Sequence, residues 1–473
     1  MEYPYIQYGI IIAYFAFIVI KGISKTRQIN HQDDFLVAGR NIGWFLLLCT
    51  MSATVVGGGA SIGAIGRTYE WGLLMLAVSA GWYVHFIFSG WFVAPKFREA
   101  ELYTVAGYFE HRYDKKNRFI AFVLSLLFSI GVLGAQMVAF GKIIATMIPE
   151  MSYFWAVVIG GGIVILYSTA GGLLAVIHTD VYQFIILMIG FTVTLLMLVP
   201  DLVANTSHFA GAVSKEFFEI DGGKGSVFLI STFLAFLLGE TFSPGYATRY
   251  CVGKNLKETR KGIVGAGVFL AFTFPVILFF IALYARYHFP NIDPEMALPR
   301  TILHLNNPIV GGLIIAALMS AVMSSADSIL NSSTAIFTKD FYEEYIAKEN
   351  PNPKKGLRLA RISSIVLGVL GILLALVLPN IIDLLLLTYT LWAPSIILPV
   401  IIGVFTKNKS RELNLLIFVT MLVAAAATII FMNFNISESL QPSVFGVFIS
   451  IIVFVSGWGL LRLKGITNLL NGN

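Results

Sequence analysis

The sequence predicts an all-α membrane protein of about thirteen transmembrane helices in a single domain, ten of them forming an inverted repeat of 5+5 helices with a broken first helix in each half. Three observations predict it. Hydrophobic residues make up 57% of the chain and charged residues 12%, with a mean hydropathy of +0.81, too apolar for a surface that water must solvate. Apolar stretches of roughly 20 residues, the length that crosses ~30 Å of hydrocarbon as a helix, recur from Tyr8 to Leu461. Two of them are interrupted, by Gly57-Gly58-Gly59 and by Ser243-Pro244-Gly245, five segments apart.

Apolar length and loop signals place the helices in order. The first, 7–24, follows Glu2 rather than basic residues and has no small-residue cleavage site, so it reads as a retained peripheral helix and not a signal peptide. Segments 42–66, 72–95, 118–147, 153–169 and 173–199 form the first repeat, about 42–199. Segments 226–252, 260–287, 307–335, 358–378 and 380–405 form the second, about 226–405. The ninth segment is expected to extend through Phe341 towards a solvated turn, Asn350-Pro351-Asn352-Pro353-Lys354-Lys355. Two C-terminal helices, 413–432 and 443–463, complete the chain.

Charge tests this order, because Lys and Arg favour the cytoplasmic side of short loops. With the N-terminus outside, 26 of the 32 basic residues fall inside, in groups that include Lys96 to Arg118, Arg249 to Lys261 and Lys339 to Arg361. An odd number of spans and a cytoplasmic C-terminus follow, in the inner (cytoplasmic) membrane. The net charge of +6 is thus a topology signal and implies no nucleic acid. Cys49 and Cys251 each lie in an apolar segment, so no disulfide framework is implied.

A repeat with an odd number of spans inserts its second copy upside down, which makes the two interruptions equivalent. Broken backbone at membrane depth survives where it is buried in protein or lines a cavity, and its freed carbonyls and amides can ligate ions and solute. This argues for transport. A lone kink of this kind is ordinarily mere packing; two at matching positions favour the functional reading. An enzyme is not expected: the sequence has no HExxH, no Walker-type loop and no Cys/His cluster.

Gly39-Arg40-Asn41-Ile42-Gly43-Trp44, Tyr167-Ser168-Thr169-Ala170-Gly171-Gly172 running on to Thr179-Asp180 and Gln183, and Met319 to Ile329 with Asn331 together resemble the sodium:solute symporter family. The resemblance covers nearly the whole chain, and Thr50 to Gly59 and Met323 to Ser328 are most similar to its choline-transporter and proline-symporter-like branch. It implies the LeuT-type fold and sodium-coupled uptake of a small organic solute. Sodium would be a co-transported ion, and no obligate protein partner is implied.

The resemblance also implies a sodium site between segments two and nine, from the carbonyls of Ser52, Val55 and Ala321 and the hydroxyls of Ser324 and Ser325. Sodium is a hard cation that takes oxygen ligands, and positions 321, 324 and 325 share one helix face. The competing reading is small-residue packing between helices. A second cation site, found in some members, would use Asp180, Ser324 and Ser328, with Asp327 in place of a third hydroxyl. Carboxylates at this depth are costly unless paired, ion-bound or hydrated.

Candidate solute contacts beside the breaks are Val56, Ser61, Trp82, Tyr83, His85, Gln136, Glu240, Phe242, Tyr246 and Tyr389, each of which could equally be helix packing. Glu240 is the most informative, since a carboxylate there needs a cation, water or a basic partner such as Lys142. Sialic-acid carriers place an Arg where this chain has Val132, and the tryptophans with which choline carriers cage quaternary ammonium fall on Val55 and Ser243. The preferred solute is therefore an amino acid, an amine or another zwitterionic or neutral metabolite. A monocarboxylate or pantothenate with Lys142 as anion partner stays open, as does a sensor or channel on the same scaffold.

Overall fold

The structure is a computed structural model that describes residues 4–26, 36–148, 150–205, 213–305, 307–347, 353–406, 409–434 and 436–463. Asn350, Pro351 and Asn352 of the expected turn, and Arg27, Lys348, Lys407 and Lys464 of the charge groups, lie outside the described residues, as do the side chains of Tyr167, Ser168, Ala170, Gly171 and Lys354.

Sixteen helices account for the chain's fold among the described residues, in the order α1 Pro4–Thr26, α2 Trp44–Val55, α3 Gly59–Trp71, α4 Leu73–Glu99, α5 Val105–Arg112, α6 Lys115–Met147, α7 Tyr153–Ala204 and α8 Ser226–Glu240. They continue as α9 Pro244–Tyr250, α10 Leu256–His288, α11 Ala297–His304, α12 Pro308–Ala347, α13 Pro353–Val377, α14 Ile381–Phe405, α15 Arg411–Asn433 and α16 Pro442–Leu463. Eight are long and apolar enough to cross a membrane, and ten spans result if each bent pair counts as one. Apolar helices at Tyr5–Ile18, Tyr153–Leu166 and Arg361–Val377 fall at the other expected segments but are shorter. The expected segments 153–169 and 173–199 are two helices on either side of Gly172, which interrupts the run labelled α7 with a φ of 58° and ψ of 176° that only glycine tolerates readily. Two helices escaped the sequence reading, α5 and α11, because eight residues are too few to give an apolar span.

α12 sits at the centre: 83% of its apolar window is buried inside the protein, against 28% for α16. It is lined with Ala and Ser, small side chains that let neighbouring backbones approach closely. Gly57 shows why glycine is needed opposite it: a Cβ there would lie 2.1 Å from Ser325 Oγ. The two breaks are real bends, of 62° between α2 and α3 and 53° between α8 and α9.

Candidate functional site

At the first break the chain leaves the helix at Val56 (φ −83°, ψ 53°), whose amide still reaches the Ser52 carbonyl at 2.9 Å. Gly58 N–H, left without a helical acceptor, donates to Gln136 Oε1 at 2.8 Å, and Ser61 Oγ donates to the Gly57 carbonyl. At Gly58 a side chain thus takes over a hydrogen bond that the backbone has given up. At the second break Pro244 starts α9 at the position where its missing amide costs least. Phe242 before it is held at φ 61°, a strained conformation for a bulky residue. Trp392 Nε1 donates to the Thr241 carbonyl at 3.1 Å and so braces the strained turn.

The two breaks share one cavity of about 30 Å³, lined by Val55, Gly59 and Ala60 on one side and by Glu240, Ser243, Gly245 and Tyr246 on the other. Trp82, Phe128, Gln136 and Ser325 are also in the wall. That volume holds little more than a water or two, so an organic solute requires these helices to part.

Between α2 and α12, the Ser325 hydroxyl donates to the Thr54 carbonyl at 2.8 Å and lies 3.5 Å from that of Ala53. Ser52, Val55, Ala321, Ser324 and Ser325 are all buried. Ser324 Oγ donates to Asp180 Oδ1, and Thr50 Oγ1 donates to Asp180 Oδ2. Asp180, Ser324 and Ser328 are therefore close together, with Asp327 buried on the same helix. Within this group stands Arg249, which the charge count placed among the inner basic residues although it falls inside the expected segment 226–252. It is fully buried, 3.3 Å from Asp180 Oδ2 and 2.6 Å from Ser328 Oγ. Arg249, near the end of α9, is buried whereas Lys254 and Lys257 are exposed. Its signal in the sequence was its place inside the expected segment 226–252, which the neighbouring basic cluster masked.

Glu240 is buried and accepts a hydrogen bond from the Tyr389 hydroxyl at 2.6 Å, with the Tyr246 hydroxyl as a second partner. Tyr389 in turn accepts from Trp82 Nε1 at 3.2 Å. Gly239 makes this possible, because a Cβ there would lie 2.2 Å from the Tyr389 ring. Lys142 is not the partner of Glu240: it pairs with Asp293 and lies 4.0 Å from Glu295. Of the other candidates, Val56 and Ser61 belong to the break itself and His85 packs behind Tyr246, ring centroids 5.4 Å apart. Tyr83 faces Phe274 on α10, and Phe242 faces Phe88 on α4, so neither lines the cavity.

The end of the bundle where α3 and α6 finish is closed by charge. Arg67 pairs with Glu70 and Asp383, Lys142 with Asp293, and Glu295 Oε1 accepts from Ile381 N–H at 2.6 Å. Burial is the main reason that the Glu295 carboxyl is pushed up to about 7, with Asp293 adding and Ile381 N–H, Lys142 and Arg67 opposing. The folded state therefore holds this proton more tightly than the unfolded chain. The resulting stability is fully present below pH 4.5 and is lost as pH rises through 7, about 3 kcal/mol over the window. Melting of the detergent-solubilised protein is expected to shift downwards from pH 5 to pH 8, and Glu295→Gln, which keeps the acceptor, should flatten that component. Identical pH profiles for the two proteins would exclude it.

Broken helices around a buried cavity, with an oxygen-rich cluster beside it, are the architecture expected of a secondary transporter. Residues 35–415 match the Sodium:solute symporter family, and the chain belongs to that family: it is a sodium-coupled solute symporter and not an enzyme. The Sodium/sialic acid symporter NanT of Aliivibrio fischeri is 29% identical over 389 residues, covering 78% of this chain and 75% of that protein. A Sodium/proline symporter of Staphylococcus aureus is 25% identical over 383 residues, with the same shares covered. The fold is that of a substrate-bound, outward-open sodium-coupled sialic acid symporter (TM-score 0.81, 21% identity, 97% of this chain and 98% of the other). Mhp1, a nucleobase-cation-symport-1 family transporter, in a closed conformation is similar over 91% of this chain and 95% of its own (TM-score 0.61, 14% identity).

Proposed function

We propose that this chain uses a sodium gradient to import a small solute bearing an amine, an amino acid or a related zwitterion or cation, by alternating access. The observation that carries the solute class is Glu240: a buried carboxylate facing a cavity walled by Trp82, Phe128 and Tyr246, with no basic side chain at ion-pair distance among the described residues. Such a group lacks a countercharge that an ammonium would supply, and the aromatic faces around it favour a cation. Engagement of Lys142 by Asp293 removes the anchor that an anionic solute would use.

In this reading sodium binds between α2 and α12, on the carbonyls of Ser52, Val55 and Ala321 and the hydroxyls of Ser324 and Ser325. The chain forms one transport domain that crosses the inner (cytoplasmic) membrane thirteen times, N-terminus outside and C-terminus inside. The shorter apolar helices of α1, α7 and α13 then span as well, and the repeats are about 42–199 and 226–405. Purified protein in proteoliposomes is expected to accumulate a labelled amino acid or amine under an inward sodium gradient and not under potassium. Equal uptake in both salts, or uptake confined to carboxylates without an amine, would refute it.

A further inference from the structure

One buried side chain joins the sodium-site helices to the half-helix that lines the solute cavity. Arg249 lies near the end of α9 and is fully buried. Its Nε donates to Thr50 Oγ1 at 2.9 Å on α2, and one terminal nitrogen donates to the Gly245 carbonyl at 3.0 Å at the second break. The other terminal nitrogen reaches Ser328 Oγ at 2.6 Å on α12 and Asp180 Oδ2 at 3.3 Å on α7. A guanidinium is suited to this, since its donors are fixed in one plane and aim in several directions at once.

The consequence falls on Ser324. Asp180 accepts hydrogen bonds from the hydroxyls of both Ser324 and Thr50, so the Ser324 oxygen keeps its lone pairs for another partner. That acceptance depends on where the carboxylate stands, and Arg249 with Thr50 fixes its Oδ2. The same guanidinium grips Gly245, next to Tyr246, whose hydroxyl meets Glu240. A buried ion pair of this kind adds little net stability, because desolvation offsets the attraction, so its use lies in what it holds in place.

We propose that Arg249 is a positioning residue for sodium coupling: it holds Asp180 so that Ser324 presents its oxygen to the ion, and it fastens that arrangement to the α9 half-helix beside the solute. This rests on the reading of the site as a sodium symporter site. Sodium itself is the probe, titrated as NaCl against KCl at constant ionic strength, with melting of the purified full-length chain as the readout.

The wild-type chain is expected to show a saturable, sodium-specific rise in melting temperature. In Arg249→Gln its midpoint should move at least tenfold higher, and Arg249→Lys, which keeps the charge without the planar fork, should fall between the two. The paired variant Asp180→Asn with Arg249→Gln removes both charges, so it leaves no stranded ion to unfold the core, and it should also lose the sodium response. A role confined to structure gives the opposite pattern, lower melting temperatures with a wild-type sodium midpoint in Arg249→Gln and the paired variant, and overturns the proposal. A wild-type chain without any sodium-specific response removes the symport reading and this inference with it.

Discussion

Replacing Ser324 and Ser325 together by alanine is expected to abolish sodium-driven uptake while leaving the fold intact. Both side chains are buried, small and polar, so alanine fills nearly the same space and opens no cavity worth the name. What disappears is oxygen. Ser325 Oγ stands 2.8 Å from the Thr54 carbonyl, at the end of the helix that the Gly57 break frees, and Ser324 Oγ links that region to Asp180. A hard cation in a site of neutral oxygens depends on their number, and each lost partner costs about 1–3 kcal/mol. Two losses weaken sodium binding by about 30-fold or more, and solute binding coupled to it falls in proportion. The measurement is uptake against sodium concentration in proteoliposomes, beside a melting curve that reports folding. Wild-type sodium dependence in a folded double variant would place the ion elsewhere.

The second large effect belongs to Glu240→Gln. Glutamine keeps the shape: its oxygen can still accept from Tyr389 and its amide nitrogen can donate to the Tyr246 oxygen, so the hydrogen-bonded frame should survive. The charge does not. Losing one partner of a buried, hydrogen-bonded charge pair costs about 2–5 kcal/mol. Uptake of a solute with an ammonium group should therefore need concentrations about 30-fold higher or more, while a neutral analogue of the same size should change little. Competition by paired charged and neutral analogues checks this. Equal losses for both would mean that Glu240 only braces Tyr389 and the break.

Much of the frame was legible because local physics controls it. Gly57-Gly58-Gly59 cannot hold a helix firmly, and Pro244 has no amide to continue one, so both bends stood in the sequence at the positions where the structure shows them. Most helix positions followed from apolar runs for the same reason, since hydrocarbon thickness is fixed, although Tyr5–Ile18, Tyr153–Leu166 and Arg361–Val377 are shorter than the spans expected there. That Ser324 and Ser325 share one helix face with Ala321 was readable from their i+3 and i+4 spacing. Short amphipathic connections such as Val105–Arg112 were not, because nothing about their length distinguishes them from loops.

Sequence alone thus determined that this chain lives in a bilayer, where its helices break and which face of α12 carries hydroxyls. Tertiary structure decided who meets whom: Arg249 with Asp180 rather than with the loop lysines, Glu240 with Tyr389 and Tyr246, and Lys142 with Asp293. The physical reason is separation along the chain. Backbone breaks arise from neighbouring residues, whereas Arg249 and Asp180 stand 69 positions apart and Tyr389 and Glu240 stand 149 apart. Such pairs are selected by the packing of whole helices, through small side chains and a 53° bend, and no local rule specifies them.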